Sequence, residues 1–182
     1  ATVLLKYTTK LNRRVDGLTA LHAAANRGKT EIVDLLLEKK ANPDSFSDMQ
    51  HTPLMCAAQH GHTAAFKILL PWTKNLNEAD ERGATALQLA LDSENYDICD
   101  LLLKQPRLDV NFATESASTP IQYAASRGKL IGVVKILQHK GLKLPFAVGI
   151  QEVLIPSLEA YRSTITSLAY DSKYLLQDHF AE

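Results

Sequence analysis

The chain has 182 residues, 46% of them apolar, and 20 basic side chains balance 20 acidic ones. That length suits about one domain. The zero net charge argues against nucleic acid as the main partner, because such binders usually carry a basic stripe, and no run of about 18 apolar residues is present to span a membrane.

A fixed period runs through the sequence. Thr19 has counterparts at Thr52, Thr85 and Thr119, at spacings of 33, 33 and 34. The runs that follow are related: Thr19-Ala-Leu-His, Thr52-Pro-Leu-Met, Thr85-Ala-Leu-Gln and Thr119-Pro-Ile-Gln. Ala23-Ala24, Ala57-Ala58 and Ala124-Ala125 recur, as do Leu36-Leu37, Leu69-Leu70, Leu102-Leu103 and Ile136-Leu137. A period of this length is the signature of stacked structural repeats.

In chain order, residues 1–15 read as the back half of a preceding unit, with Leu4-Leu5 matching Leu69-Leu70 and Asn12 matching Asn77. They are either a natural cap or a cut through a longer array. Ala1 is not Met and stands mid-unit, so a partial chain is expected. The first complete unit is 16–47. Thr19 should cap a short helix, Gly28 should end it in the left-handed conformation, and a bulkier helix should run through Ile32 and Val33 to Leu37. The second unit, 48–80, places Pro53 at a first helical position, where a missing N–H costs nothing. Its second helix should stop at Pro71-Trp72, and Trp72 either covers the core edge or stands exposed as an anchor. The third unit, 81–112, lacks the glycine; Asn95 is expected to take the left-handed position. The fourth unit, 113–144, carries Gly132 inside its second helix, at a cost of about 1 kcal/mol relative to Ala. Beyond it the repeat is lost. Residues 145–182 still read as helical through Leu158, Tyr161, Ile165 and Leu168, and form either a helical cap on the last unit or the start of a further domain.

These runs resemble the ankyrin-repeat family over residues 1–144: a half repeat at 1–15, then repeats 16–47, 48–80, 81–112 and 113–144. The resemblance implies an all-α solenoid of helix-turn-helix units with turn or hairpin tips. It also implies a structural His22, since the family's histidine hydrogen-bonds within the turn region. Stacked repeats bury their apolar faces on neighbours and leave a concave surface. In ankyrin-like stacks partners touch the turn tips and the exposed side of the first helix. By register, the tip residues are Val15, Asp16, Leu18, Asp48, Met49, His51, Glu81, Arg82, Ala84, Glu115 and Ser116. The helix residues are Asn26, Arg27, Gln59, His60, Asp92 and Arg127. Val15, Leu18 and Met49 suggest a hydrophobic contact near the first two repeats; Arg27, Arg82 and Arg127 suit acidic or phosphorylated groups. Asn111, in Leu-Lys-Gln-Pro-Arg-Leu-Asp-Val-Asn, resembles the preferred substrate of the asparaginyl hydroxylase that modifies many ankyrin repeats.

Other chemistry finds little support. Cys56 and His60 are four apart and share a helix face, but a metal needs further ligands at suitable spacing, so no metal or cofactor is expected. Arg27-Gly28-Lys29-Thr30 imitates the end of a phosphate-binding loop but has Ala23 where the pattern needs Gly. Cys56 and Cys99 read as small buried residues in a reducing compartment, the cytosol or nucleus. The function expected is non-catalytic binding of another protein by a monomeric scaffold. The alternative is the targeting or regulatory arm of a larger enzyme or host-directed bacterial effector, with its catalytic part elsewhere.

Overall fold

The computed structural model describes residues 11–113 and 118–143. They form eight short helices in four pairs: α1 (Ala20–Asn26) with α2 (Thr30–Glu38), α3 (Pro53–Gln59) with α4 (Thr63–Leu69), α5 (Ala86–Asp92) with α6 (Tyr96–Leu103), and α7 (Pro120–Ser126) with α8 (Leu130–Leu137). Among the described residues there are no strands, only isolated bridges at the tips, Val15 with Leu18 and Ala79 with Thr85. The first helices α1, α3, α5 and α7 pack in one row and the second helices α2, α4, α6 and α8 in another.

Helices of seven to nine residues are too short to persist alone in water. Two kinds of interaction hold these. The first is capping. Thr19, Thr52, Thr85 and Thr119 are extended N-caps whose hydroxyls accept the backbone N–H of His22, Met55, Gln88 and Gln122. Pro53 and Pro120 occupy first helical positions. The second is burial between the rows. Phe66, Leu69, Leu87, Leu91, Ile98 and Leu102 are almost completely enclosed, and truncating such a residue to Ala costs about 2–5 kcal/mol. Cys56 and Cys99 lie in this core as free thiols, and burial pushes the pKa of each up to about 12.

Three rows of hydrogen bonds tie the units together. Along the first helices, His22 Nε2 donates to the His51 carbonyl (2.8 Å) and Gln88 Nε2 to that of Ser118 (2.7 Å). His22 Nδ1 accepts from the Thr19 N–H, so the ring is neutral with its proton on Nε2. Burial accordingly lowers the His22 pKa. Met55 stands at the same position in the second unit and has no donor; there His51 Nε2 lies 3.2 Å from Asp80 Oδ2 instead.

The second row runs along the helix-helix turns. His62 reaches back to the Asn26 carbonyl (3.0 Å) and Asn95 to that of Ala58 (2.8 Å). A Cβ on Gly28 would sit 2.6 Å from His62 Nδ1, so this glycine supplies both the left-handed turn (φ 61°) and the space for its neighbour's cap. The third unit departs from expectation. Glu94, not Asn95, takes the left-handed position (φ 58°). Asn95 aligns with His62 and is the N-cap of α6 (φ −81°); its amide is committed to the preceding unit.

The third row runs along the connecting loops. Asn12, Asp44, Asn77 and Asn111 each accept, through Oδ1, a backbone N–H of the next loop: Asn42, Lys74, Asp109 and Lys143. Arg107, in the longer loop of the third unit, donates to the Leu70 and Thr73 carbonyls beyond α4.

Candidate protein-binding surface

The tips are built from backbone turns held by short side chains. Asp80 is buried, and its Oδ1 accepts the N–H groups of Arg82 (2.9 Å) and Ala84 (2.8 Å). With the Asp80 N–H on the Ala84 carbonyl and Gly83 at φ 80°, this closes a tight loop. Glu81 and Arg82 are thereby presented at its exposed end. Neighbouring tips are stitched by Asp48 N–H to the Gly17 carbonyl (3.0 Å), Glu81 N–H to the Met49 carbonyl (3.4 Å) and the Arg14–Asp48 ion pair (2.9 Å).

Between these tips and the first helices of the second to fourth units lies a hollow of about 260 Å³. Met49, His51, Asp80, Glu81, Arg82 and Ala84 line it from the tips; Gln59, Gln88, Leu89, Asp92, Tyr123 and Arg127 line it from the helices. Ala84 and Leu89 supply a buried apolar floor. At the far wall Arg127 pairs with Asp92 (3.0 Å) and lies over the Tyr123 ring, 4.6 Å from its centre. Burial, reinforced by Asp92 and opposed by Arg127, raises the Tyr123 phenol. The surface therefore offers an apolar floor, an aromatic face and charges of both signs, held by internal bonds before any partner arrives. Such pre-formed sites lose little entropy on binding.

Eight residues expected from register meet in the hollow: Met49, His51, Gln59, Glu81, Arg82, Ala84, Asp92 and Arg127. Met49 is 59% exposed. Val15, Asp16, Leu18, Asn26, Arg27, Asp48 and His60 are not in its lining. Val15 is 63% exposed at the first tip, whereas Leu18 is half-buried. His60 Nδ1 lies on the Cys56 carbonyl (3.0 Å) and its ring stacks on His62. Trp72 is exposed, outside the hollow. Glu115 and Ser116 lie outside the described residues. Sequence reasoning missed Asp80, Gln88, Leu89 and Tyr123. The signal was present: Leu89 and Tyr123 precede Asp92 and Arg127 by three and four residues, and so share their helix faces.

Comparison with known proteins agrees with this architecture. The family model described as "Ankyrin repeats (3 copies)" matches residues 1–80 and 73–145. The chain belongs to the ankyrin-repeat family. It is similar to human ankyrin repeat and KH domain-containing protein 1, 37% identical over 87 residues, covering 47% of this chain and 3% of that protein. It is similar also to the chicken nuclear factor NF-kappa-B p105 subunit, 33% identical over 126 residues, covering 65% of this chain and 13% of that protein. The matched regions are thus small parts of these relatives. Ankyrin repeats are generally protein–protein interaction modules, and the hollow lies on the tip and first-helix side of the stack.

Asn111 is half-buried. Its Oδ1 accepts the Lys143 N–H (2.7 Å) and its Nδ2 donates to the Gly141 carbonyl (2.9 Å). It therefore holds two loops together.

Proposed function

We propose that this chain is a non-catalytic, monomeric binding module that takes a partner protein into the hollow between the second and fourth repeats. The observation that carries the reading is the convergence of Met49, Arg82, Leu89, Tyr123 and Arg127 on one pre-formed surface. An exposed Met and a half-buried tyrosine over an apolar floor, with arginine at the edge, have the composition of binding hot spots. Four of the titratable groups of the hollow are engaged with one another, Asp80 with His51 and Asp92 with Arg127, an arrangement that suits recognition better than turnover. Two buried free thiols favour a reducing compartment, the cytosol or nucleus, and the balanced charge favours protein over nucleic acid. Asn111 is carried as a hydroxylation site on the residues around it; its two loop bonds would have to open first, and intact mass after incubation with the hydroxylase tests it.

The test of the main reading is capture from lysate by the parent chain and by a Met49→Glu, Arg82→Glu variant with an unchanged melting temperature. Partners held by the parent and lost by the variant support the hollow as the site. Equal capture by both contradicts it.

A further inference from the structure

Position by position, the second helices repeat one pattern on their outer edge. The residues equivalent to Glu31 and Asp34 of α2 are Ala64 and Lys67 in α4, and Asp97 and Asp100 in α6. These are charged, apart from the small Ala64. In α8 the same two places carry Ile131 and Val134, 55% and 37% exposed. Three residues further on, Leu137 is 43% exposed, whereas of its equivalents Leu37 and Leu70 are buried and Leu103 is half-buried. Ile131, Val134 and Leu137 thus form an apolar stripe at three-residue spacing. The polar side chain of this helix, Lys135, turns back to Asp100 of α6 (2.7 Å). Among the described residues, α8 alone carries exposed apolar side chains at both of these places; the exposed Ile32 of α2 stands one position further on.

We propose that this stripe is the docking surface for residues 145–182 of the same chain. That segment is joined to α8 through residues 138–144. Its apolar residues Leu158, Tyr161, Ile165 and Leu168 recur at three- and four-residue spacing, the pattern that lines one face of a helix with an apolar stripe. A tethered segment also meets the surface at a high effective concentration that a free partner lacks. The inference is independent of what occupies the concave hollow.

Hydrogen exchange by mass spectrometry on the full chain tests it, using the parent and an Ile131→Glu, Val134→Glu variant. The expected result is protection of residues 157–170 in the parent. In the variant, exchange there rises by about tenfold or more, while α1 to α6 are unchanged. No protection of 157–170 in the parent overturns the proposal; so does protection that survives in the variant. Protection that appears only at concentrations where the chain dimerises assigns the stripe to a second copy, and also overturns it. Should the glutamates unfold α7 and α8, the milder Ile131→Gln, Val134→Gln pair is read by the same outcomes.

Discussion

Replacing Gly132 with Ala sets two effects against each other, and the structure decides the sign. Gly132 lies inside α8, where helix propensity alone favours Ala by about 1 kcal/mol. However, Gly132 is buried, and a Cβ built on it runs into Cδ2 of Leu91, a fully enclosed side chain of α5. Overpacking of that kind costs about 1–3 kcal/mol. The net is a loss of between about 0 and 2 kcal/mol, centred near 1, and at this chain length about 2–4 °C in melting temperature per kcal/mol. A second background isolates the cause. Leu91→Ala alone should cost about 2–5 kcal/mol through the cavity it leaves. In that background Gly132→Ala should stabilise by about 1 kcal/mol, because the clash is gone and the propensity gain remains. Thermal and urea unfolding of the four proteins measures the cycle. If Gly132→Ala raised the melting temperature in the parent chain, or shifted both backgrounds equally, the packing argument would be wrong.

Three further outcomes are expected. His22 has a pKa lowered by burial, so the unfolded chain binds its proton first. Stability from this group is complete above about pH 6.5 and falls as pH drops toward the folded value, with a slope of up to about 1.4 kcal/mol per pH unit. His22→Gln, which copies Gln88 at the equivalent position, should keep the bond to His51 and flatten that slope in urea titrations between about pH 7 and about pH 5; an unchanged slope would assign it elsewhere. Arg107→Ala should cost about 1–2 kcal/mol by freeing the carbonyls of Leu70 and Thr73, with faster amide exchange at the end of α4 as the local readout. Lys40 is a non-glycine residue at φ 66°. Lys40→Gly should therefore gain about 0.5–1 kcal/mol, the left-handed cost less the glycine entropy, seen as a higher denaturation midpoint.

The repeat, its caps and its turns were legible because each depends on one residue in its own unit: threonine before a helix, proline at its first position, glycine at φ > 0. The exceptions needed a neighbour. Asn95 looks like the left-handed residue of the third turn because asparagine tolerates that conformation, yet counting from Gly28 and Gly61 lands on Glu94. Asn95 aligns with His62, whose partner is a carbonyl of the preceding repeat. Gly132 reads as a weakness until Leu91 is placed against it. The hollow was half legible for the same reason. Register supplies Met49, Arg82 and Arg127 one unit at a time, but depth arises between units. It is set where the tip and first helix of the third repeat meet the second and fourth, with Arg127 reaching across to Asp92, and no single repeat contains that geometry.

A partner seated in the hollow must touch the side chains that line it. A photo-reactive side chain placed in turn at Arg82, at Tyr123 and at Asp97 on the outer edge of α6 tests this most directly, with cross-linked products from lysate identified by mass spectrometry. A common protein should be joined at Arg82 and Tyr123 and absent at Asp97. A partner joined at Asp97 and at neither hollow position would contradict it.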